Sequence, residues 1–199
     1  VNFPPMTVKG EAKFGGNSYS GHLDMRLEGG SLVGKGSFNG NRNQYAVDAD
    51  FTNFPVRAIM PLAPVDHLTA HVKADGHGFD FLKASTAVNA DVNLGSVTYD
   101  GMTYRDITAQ VNMNAGDVTA RVNSNNPNCN LFMDAQGKIQ GERYIFNVNG
   151  NIRDFDANAL GFTDFSLNGT GEIAAFVDYD TRTKNCEFNA DLNHINWNY

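Results

Sequence analysis

Hydrophobic and polar side chains alternate with a period of two along most of this chain. In the run VNADVNL, residues 88–94, every second side chain is apolar and the others are Asn or Asp. The run YAVDADF, residues 45–51, follows the same rule. About a dozen such runs are separated by turn sequences such as Gly15-Gly16-Asn17 and Asp100-Gly101. The pattern predicts an all-β protein of antiparallel strands with very little helix.

A pattern of strand, interruption and strand occurs twice along the chain. At Gln44–Gly78 a strand is followed by FPVRAIMPLAP, whose three prolines exclude a central strand and favour a single helical turn. A similar strand, interruption and strand returns at Arg143–Gly171, about a hundred residues later. We therefore expect one elongated β domain, residues 1–199, made of two approximate repeats at about 1–95 and 96–199.

The charge balance excludes two classes of partner. The chain carries a formal net charge of −7 and only 19% charged residues. Nucleic acids need clustered Lys and Arg, and an anionic bilayer surface attracts the same residues, so neither is expected to bind here. The longest apolar runs are far shorter than the roughly 20 residues of a membrane-spanning helix. The chain opens on Val1, and we expect it to be a fragment of a longer protein.

No catalytic or metal-binding constellation stands out. His67, His71 and His77 share the wet face of one predicted strand, but His67 and His71 would lie about 13 Å apart. The acidic pairs within 48–50 and 154–156 end strands, where turn or capping roles are expected. There is no nucleophile elbow, phosphate-binding loop or dinucleotide fingerprint. We expect no enzyme activity, no cofactor and no metal.

The two cysteines, Cys129 and Cys186, form no metal-ligand motif and no C-x-x-C pair. They could bridge in an oxidising compartment, but the sequence favours two separate thiols over a disulfide.

The apolar faces of these strands must be covered by something. Three solutions fit the alternation: a second sheet in a filled sandwich, a lipid bilayer around an outer-membrane barrel, or a sheet curled over a ligand. Phe and Tyr lie in the middle of strands rather than in girdles at both ends, which argues against the barrel. Small residues on the dry face, such as Ala49, Ala70 and Ala90, leave room that a packed core would fill.

Several segments carry a resemblance to a known family. The passages VDADFTNFPVRAIMPL and VNGNIRDFDANALGF each end a strand in an acidic residue before an apolar turn, and glycine-bearing strands follow them (HVKADGHG and NGTGEI). The segment SNNPNCNLFMDAQGKI resembles a connection between units. In these features the chain is similar to the TamB/AsmA-like family of Gram-negative envelope proteins, and its Asn-rich outer face resembles Bacteroidetes members.

The resemblance implies a location and a role. Such proteins are anchored in the inner membrane and extend through the periplasm as a curled β-taco, or groove-like, sheet with an apolar interior. They are implicated in phospholipid transport between the inner and outer membranes, and in outer-membrane protein assembly with an outer-membrane partner. This chain would be an internal, non-enzymatic segment that contacts lipid acyl chains, and other parts of the full-length protein would hold the anchor and the partner.

The expected groove lining consists of the larger apolar residues of the dry face. These are Leu23, Met25, Leu27, Val47, Phe51, Leu68, Val72, Val92, Leu94, Ile107, Val111, Met113, Leu131, Met133, Phe146, Val148, Leu167, Ile173, Phe188 and Leu192. Burial of an acyl chain against them would gain about 0.8 kcal/mol per CH₂ group. The expected repeat corners, which would plug or edge the groove, are Phe54, Leu62, Phe155 and Phe162.

A different class of function fits the same strands. A β-sandwich binding module of the cell envelope, such as an adhesin or a carbohydrate-binding domain, would present exposed aromatic platforms. The candidates for such platforms are Tyr99, Tyr104, Tyr179 and Trp197.

Overall fold

The computed structural model describes residues 5–80, 83–161 and 163–198. Within them lie twelve strands and one short helix. In chain order they are β1 (Met6–Gly15), β2 (Ser18–Leu27), β3 (Gly30–Asn39), β4 (Gln44–Pro55), α1 (Val56–Ile59), β5 (Val65–His77), β6 (Ala87–Tyr99), β7 (Met102–Asn114), β8 (Asp117–Asn126), β9 (Cys129–Gln140), β10 (Arg143–Asp156), β11 (Asn168–Asp180) and β12 (Cys186–Asn198).

The strands follow one another in a single antiparallel sheet in the order of the sequence, from β1 to β12. No crossover connection interrupts that order. The predicted fold class, an all-β protein of antiparallel strands with very little helix, is confirmed. No helix in the described part of the chain has the length and apolar character needed to cross a membrane.

The chain divides into two compact units. The first comprises Val1–His77 and Ala90–Ile107, and the second comprises Gly78–Asn89 and Thr108–Tyr199. Strands β1 to β5 therefore belong to the first unit and β8 to β12 to the second, whereas β6 and β7 each contribute to both. The two sequence repeats, about 1–95 and 96–199, stay a prediction.

In the first unit, the end of β4 forms a small buried core. The pairing of β4 with β5 shifts register between Phe51 and Phe54, which is where the alternation of β4 is interrupted. Phe54 is only 5% exposed, and its ring meets the Phe51 ring edge to face at 5.8 Å. A side chain at Gly30 would clash with the backbone of Asn53 and Phe54, so only glycine fits at the start of β3.

The proline-rich interruption forms the predicted helical turn. α1 begins directly after Pro55, which occupies the N-cap position rather than the first helical position, with a φ of −80°. The turn is tied to the following loop by Arg57, which donates from Nε to the Ala63 carbonyl oxygen at 2.9 Å and contacts Asp66 at 2.8 Å. Leu62, one of the predicted corner residues, is 99% exposed.

In the second unit, β10 ends much as β4 does. Its pairing with β11 shifts register between Ile152 and Phe155, and a turn follows. Asp156 caps that turn, because its Oδ1 accepts a hydrogen bond from the Ala159 amide at 2.9 Å. Leu160 is buried in the turn and Phe155 is half-buried. Phe162, the fourth predicted corner residue, lies outside the described residues.

A charge-assisted pair stabilises the other end of this hairpin. Arg143 of β10 donates from Nε to Asp178 Oδ1 of β11 at 2.8 Å, and its Nη2 contacts Oδ2. The hydrogen bond from Arg143 holds the pKa of Asp178 below its usual value. Backbone hydrogen bonds from Thr183 and Arg182 lower the pKa of Asp180 in the same way.

In the Asp178→Asn variant, the free energy of unfolding is expected to fall less steeply as the pH is lowered into the acidic range. A carboxylate whose folded-state pKa is lowered contributes stability above its unfolded pKa, about 3.9, and loses that contribution as the pH falls through the lower folded value. The check is the free energy of unfolding from denaturant titrations between about pH 5 and pH 2. Asp191→Asn, at an exposed position of β12, is the control. An equally steep acid loss in Asp178→Asn and in the unmodified chain would contradict the assignment.

Candidate functional site: an apolar cleft on the first unit

The apolar side chains of β1 to β4 meet in rows that cross the strands. Residues directly opposite each other on neighbouring strands share a face. The row nearest the β1–β2 turn is aromatic, and its members are Phe14, Tyr19, Phe38 and Tyr45. The rings of Phe14 and Tyr19 meet edge to face at 5.8 Å, and those of Tyr19 and Phe38 stack at 6.3 Å. We call these four residues the aromatic row.

The aromatic row is exposed at β1 and better covered at β4. Phe14 is 74% exposed, although aromatic rings usually find cover in a protein. Tyr45 is half-buried, and burial together with the charge of Asp75 raises the pKa of its hydroxyl. Tyr45 is therefore a neutral phenol at physiological pH, and the row presents an uncharged wall.

The next two rows are formed mainly by glycine and alanine, with Val47 in the first row and Leu23 in the second as the larger side chains. We call their small residues the glycine floor, and they are Ala12, Gly21, Gly34, Gly36 and Ala49. Gly36 lies opposite Gly21 on one side, and Gly34 lies opposite Ala49 on the other. Because these positions lie next to one another on four adjacent strands, they form a depression in the apolar face rather than isolated gaps.

Larger side chains return on the far side of the floor. The row that faces the aromatic row across it is formed by Val8, Met25, Leu32 and Phe51, which we call the bulky row. Six residues along each strand separate the two rows, for example Tyr45 and Phe51 on β4, which corresponds to roughly 20 Å. The floor thus has a wall on either side along the strand direction.

The result is an apolar cleft of about 580 Å³. Its lining includes members of both rows and of the floor, with Leu23 and Val47 between them. The volume lies within the roughly 300–1,000 Å³ typical of small-molecule sites. Val47 and Tyr19 remain partly exposed, so the cleft is open to solvent instead of being filled by a second layer of side chains.

Close strand packing explains the glycines. A Cβ atom at Gly21 would lie 2.5 Å from the Glu11 carbonyl oxygen, and one at Gly34 would lie 2.9 Å from the Ala49 Cβ. Both distances are too short for a side chain without movement of the backbone. Gly36 differs, because the nearest atom to its Cβ would be the Ala46 carbonyl oxygen at 3.4 Å. A side chain fits there and would project into the cleft.

The opposite face of the same strands is polar and charged. Lys35 of β3 contacts Asp48 of β4 at 3.3 Å, and His71 of β5 contacts Asp50 at 2.8 Å. Such exposed cross-strand pairs contribute little energy, but they keep this face in water. A depression of about 570 Å³ on this side is lined mainly by charged and hydroxyl-bearing residues. These charged side chains therefore determine which face of the sheet stays hydrated.

The three histidines considered as metal ligands differ in their neighbours. All three are exposed, and His71 lies between the carboxylates of Asp48 and Asp50. Within the described ranges, no group of three or more His, Cys, Asp or Glu side chains is arranged to hold a metal ion.

The cysteines are both free thiols. Cys186 is exposed on β12, and Cys129 is half-buried at the start of β9. Burial raises the pKa of the Cys129 thiol, which disfavours the nucleophilic thiolate.

The structure places the predicted lining residues in three degrees of exposure. Buried are Leu27 and Met113. Half-buried are Leu23, Met25, Phe51, Leu68, Val72, Val92, Leu94, Ile107, Leu131, Phe146, Val148, Leu167 and Ile173. Exposed are Val47, Val111, Met133, Phe188 and Leu192. Most of the predicted lining therefore lies at a surface that water reaches, and Leu23, Val47 and Phe51 border the cleft itself.

The sequence pattern did not identify the residues that shape the cleft. Apart from Ala49, neither the glycine floor nor the aromatic row was predicted as part of a site. The available signal was the spacing of Gly34 and Gly36, which occupy apolar positions of β3 at a period of two.

Two glycines of the second unit are covered by aromatic rings instead. A Cβ atom at Gly137 would clash with the ring of Phe146 on the neighbouring strand, and one at Gly169 would lie 2.6 Å from the Trp197 ring. An aromatic ring laid over a strand glycine protects the backbone there. At these two positions the space above the glycine is therefore occupied.

No protein-family model matches the chain, and no curated protein and no solved structure matches it. The candidate site accordingly rests on the geometry of β1 to β4 alone.

Proposed function

We propose that this chain is a non-enzymatic periplasmic segment of a TamB-like envelope protein, and that its apolar sheet face shields phospholipid acyl chains in transit between the inner and outer membranes. The observation that carries the proposal is the open cleft above the glycine floor, bounded by the aromatic and bulky rows. Outer-membrane protein assembly would involve a partner bound by other parts of the full-length protein.

The energetics suit transient binding of an alkyl chain. The cleft crosses four strands, and three interstrand spacings amount to about 14 Å. If about six CH₂ groups are buried there, the gross gain is about 5 kcal/mol at 0.8 kcal/mol each. The loss of translational and rotational freedom on binding offsets much of that gain. A carrier that must release its cargo needs this weak, non-directional attraction.

The two faces of the sheet offer different surroundings to the two parts of a phospholipid. Acyl carbon atoms gain by leaving water for the apolar cleft, whereas a charged head group loses hydration there. The head group therefore stays in solvent at the mouth of the cleft. The pair of Lys35 and Asp48 joins charged side chains on the other face, which stays hydrated, although the Lys35 residue also borders the cleft.

A photoreactive amino acid placed at Val47 is expected to form lipid adducts, and one at Ala46 is not. Both residues border the cleft, but they are adjacent on β4, so the Val47 side chain points to the apolar face and the Ala46 side chain to the polar face. The measurement is the mass of the crosslinked product after irradiation in the periplasm of a Gram-negative cell. Equal labelling at both positions, or no lipid at either, would contradict the proposal.

A second candidate function is a carbohydrate-binding or adhesin module. The observation that favours it is the exposure of Tyr99 and Trp197, since aromatic platforms suit sugar rings. Trp197 already covers Gly169, and Tyr104 and Tyr179 are half-buried, so Tyr99 is the freest of the four predicted platforms. Oligosaccharide binding that Tyr99→Ala abolishes, without lipid adducts at Val47, would favour this alternative.

A further inference from the structure

The loop that follows α1 presents apolar side chains directly to solvent. Leu62 is 99% exposed, and Met60, Pro61 and Pro64 are exposed beside it. We call residues 60–64 the apolar tip. Single exposed apolar residues are common on protein surfaces, but here four of five consecutive residues are both apolar and exposed. The tip therefore projects apolar surface outward and offers no groove.

The backbone of the apolar tip has few unpaired donors. Two of its five residues are prolines, which have no N–H group. The Met60 amide donates to the Val56 carbonyl oxygen at 2.8 Å, and the Ala63 amide donates to that of Met60 at 2.9 Å. Within the described ranges, only the Leu62 amide of the tip is left without a protein partner.

Most carbonyl groups of the tip are paired as well. Besides that of Met60, the Ala63 oxygen accepts a hydrogen bond from Arg57 Nε at 2.9 Å. The Pro64 oxygen accepts one from the Asp100 amide at 3.1 Å, in the turn between β6 and β7. A peptide group that leaves water without a partner is costly, so this internal pairing lowers the cost of moving the loop into hydrocarbon.

Charged side chains are confined to the base of the loop. The eight residues 58–65, AIMPLAPV, contain none. Arg57 and Asp66 flank this run and contact each other at 2.8 Å, and Asp100 adds a negative charge in the neighbouring turn. A charge-free tip above an ion pair matches the change from hydrocarbon to head groups at a bilayer surface.

A bilayer fits this loop better than the pocket of a protein partner. The carbonyl oxygens of Pro61 and Leu62 accept no hydrogen bond from the described residues. A protein pocket would have to supply donors for them at fixed positions, whereas water and mobile head groups at a bilayer surface reach them in any orientation. The net charge of −7 opposes anionic surfaces, so apolar burial must carry the contact.

We propose that the apolar tip inserts into the hydrocarbon boundary of a zwitterionic phospholipid bilayer, with Arg57 and Asp66 at the level of the head groups. The inference goes beyond the cleft and does not depend on lipid binding there. Even a single myristoyl chain binds membranes only marginally and reversibly, so one short loop gives weak contact. The tip therefore orients the first unit against a bilayer and does not anchor the chain.

The test is co-flotation of the full chain with phosphatidylcholine vesicles at millimolar lipid. Leu62→Ser is expected to lower the partition coefficient about 10- to 30-fold, because most of the apolar surface that would leave water is lost. The fold is expected to stay intact, since Leu62 makes almost no contacts. The matched control is Val33→Ser, which removes an exposed apolar side chain from a strand position between Asp24 and Asp50. It is expected to partition like the unmodified chain.

The depth of the tip is measured with Leu62→Trp. Its fluorescence is expected to be quenched by phospholipids brominated along the acyl chains. The reference is the unmodified chain, whose single tryptophan, Trp197, lies in the second unit. Leu62→Ser is expected to bind a fluorescent fatty acid like the unmodified chain, so failure of the tip and failure of the cleft give different results.

Equal partitioning of Leu62→Ser and the unmodified chain would overturn the proposal, as would no partitioning at any lipid concentration. Partitioning that requires phosphatidylglycerol would overturn it too, because charge and not apolar burial would then carry the contact. A photoreactive residue at position 62 that labels protein and no lipid in cells would assign the tip to a protein partner, with the same consequence.

Discussion

Phe54→Ala is expected to lower the free energy of unfolding by about 3–5 kcal/mol. Phe54 is 5% exposed and packs against the Phe51 ring at the register shift that ends β4. The cavity would not collapse easily, because the backbone at this point lies directly against Gly30. A loss of this size is a large part of the 5–15 kcal/mol that stabilises a typical domain.

The matched control is Leu62→Ala, at the other predicted corner of the same interruption. Leu62 is 99% exposed, so its removal is expected to change the free energy of unfolding by less than about 0.5 kcal/mol. Chemical denaturation followed by circular dichroism measures both variants. Equal effects of the two substitutions would show that Phe54 has no special role in the corner.

Gly36→Leu is expected to weaken the binding of a fluorescent fatty acid by about 30-fold. The new side chain would project into the cleft from its floor and displace two or three CH₂ groups of the ligand, at about 0.8 kcal/mol each. The backbone tolerates the change, because the nearest atom to the added Cβ is 3.4 Å away. The loss of affinity would therefore occur in a folded protein, which circular dichroism verifies.

Ser37→Leu is the control for this experiment. Ser37 is the next residue of β3 and borders the cleft, but alternation along the strand directs its side chain to the opposite, polar face. An added leucine there does not project into the cleft. Fatty-acid affinity in Ser37→Leu is expected to match that of the unmodified chain. If Gly36→Leu bound as tightly as Ser37→Leu, the cleft above the glycine floor would not be the lipid site.

Local features of the fold followed from the sequence because they depend on neighbouring residues. The alternation of 45–51 predicted β4, and Pro55 predicted the helical turn that forms at Val56–Ile59. The apolar positions of β12 change phase between Leu192 and Ile195, which indicates a bulge, and the pairing with β11 shifts register at this point. Each of these depends on backbone preferences within a few residues.

The cleft depends on register between strands, which alternation alone does not determine. Gly21 and Gly36 form a floor only because β2 and β3 pair so that these two residues lie opposite each other. A slip by two residues would preserve every in-and-out assignment and scatter the glycines. The exposure of Leu62 could not be predicted either, because the segment between Pro61 and Pro64 follows no periodic pattern that would show which way the side chain points.

The uninterrupted strand order has a consequence for how this chain acquires its structure. Each strand pairs with the strand made immediately before it, so the contacts that form the sheet are short in sequence. The hairpin of β1 and β2 can form without the C-terminal half of the chain. Each later strand then pairs with a strand that has already formed. A polypeptide that emerges gradually, from a ribosome or an export channel, can therefore fold in the order in which it appears, without waiting for its end.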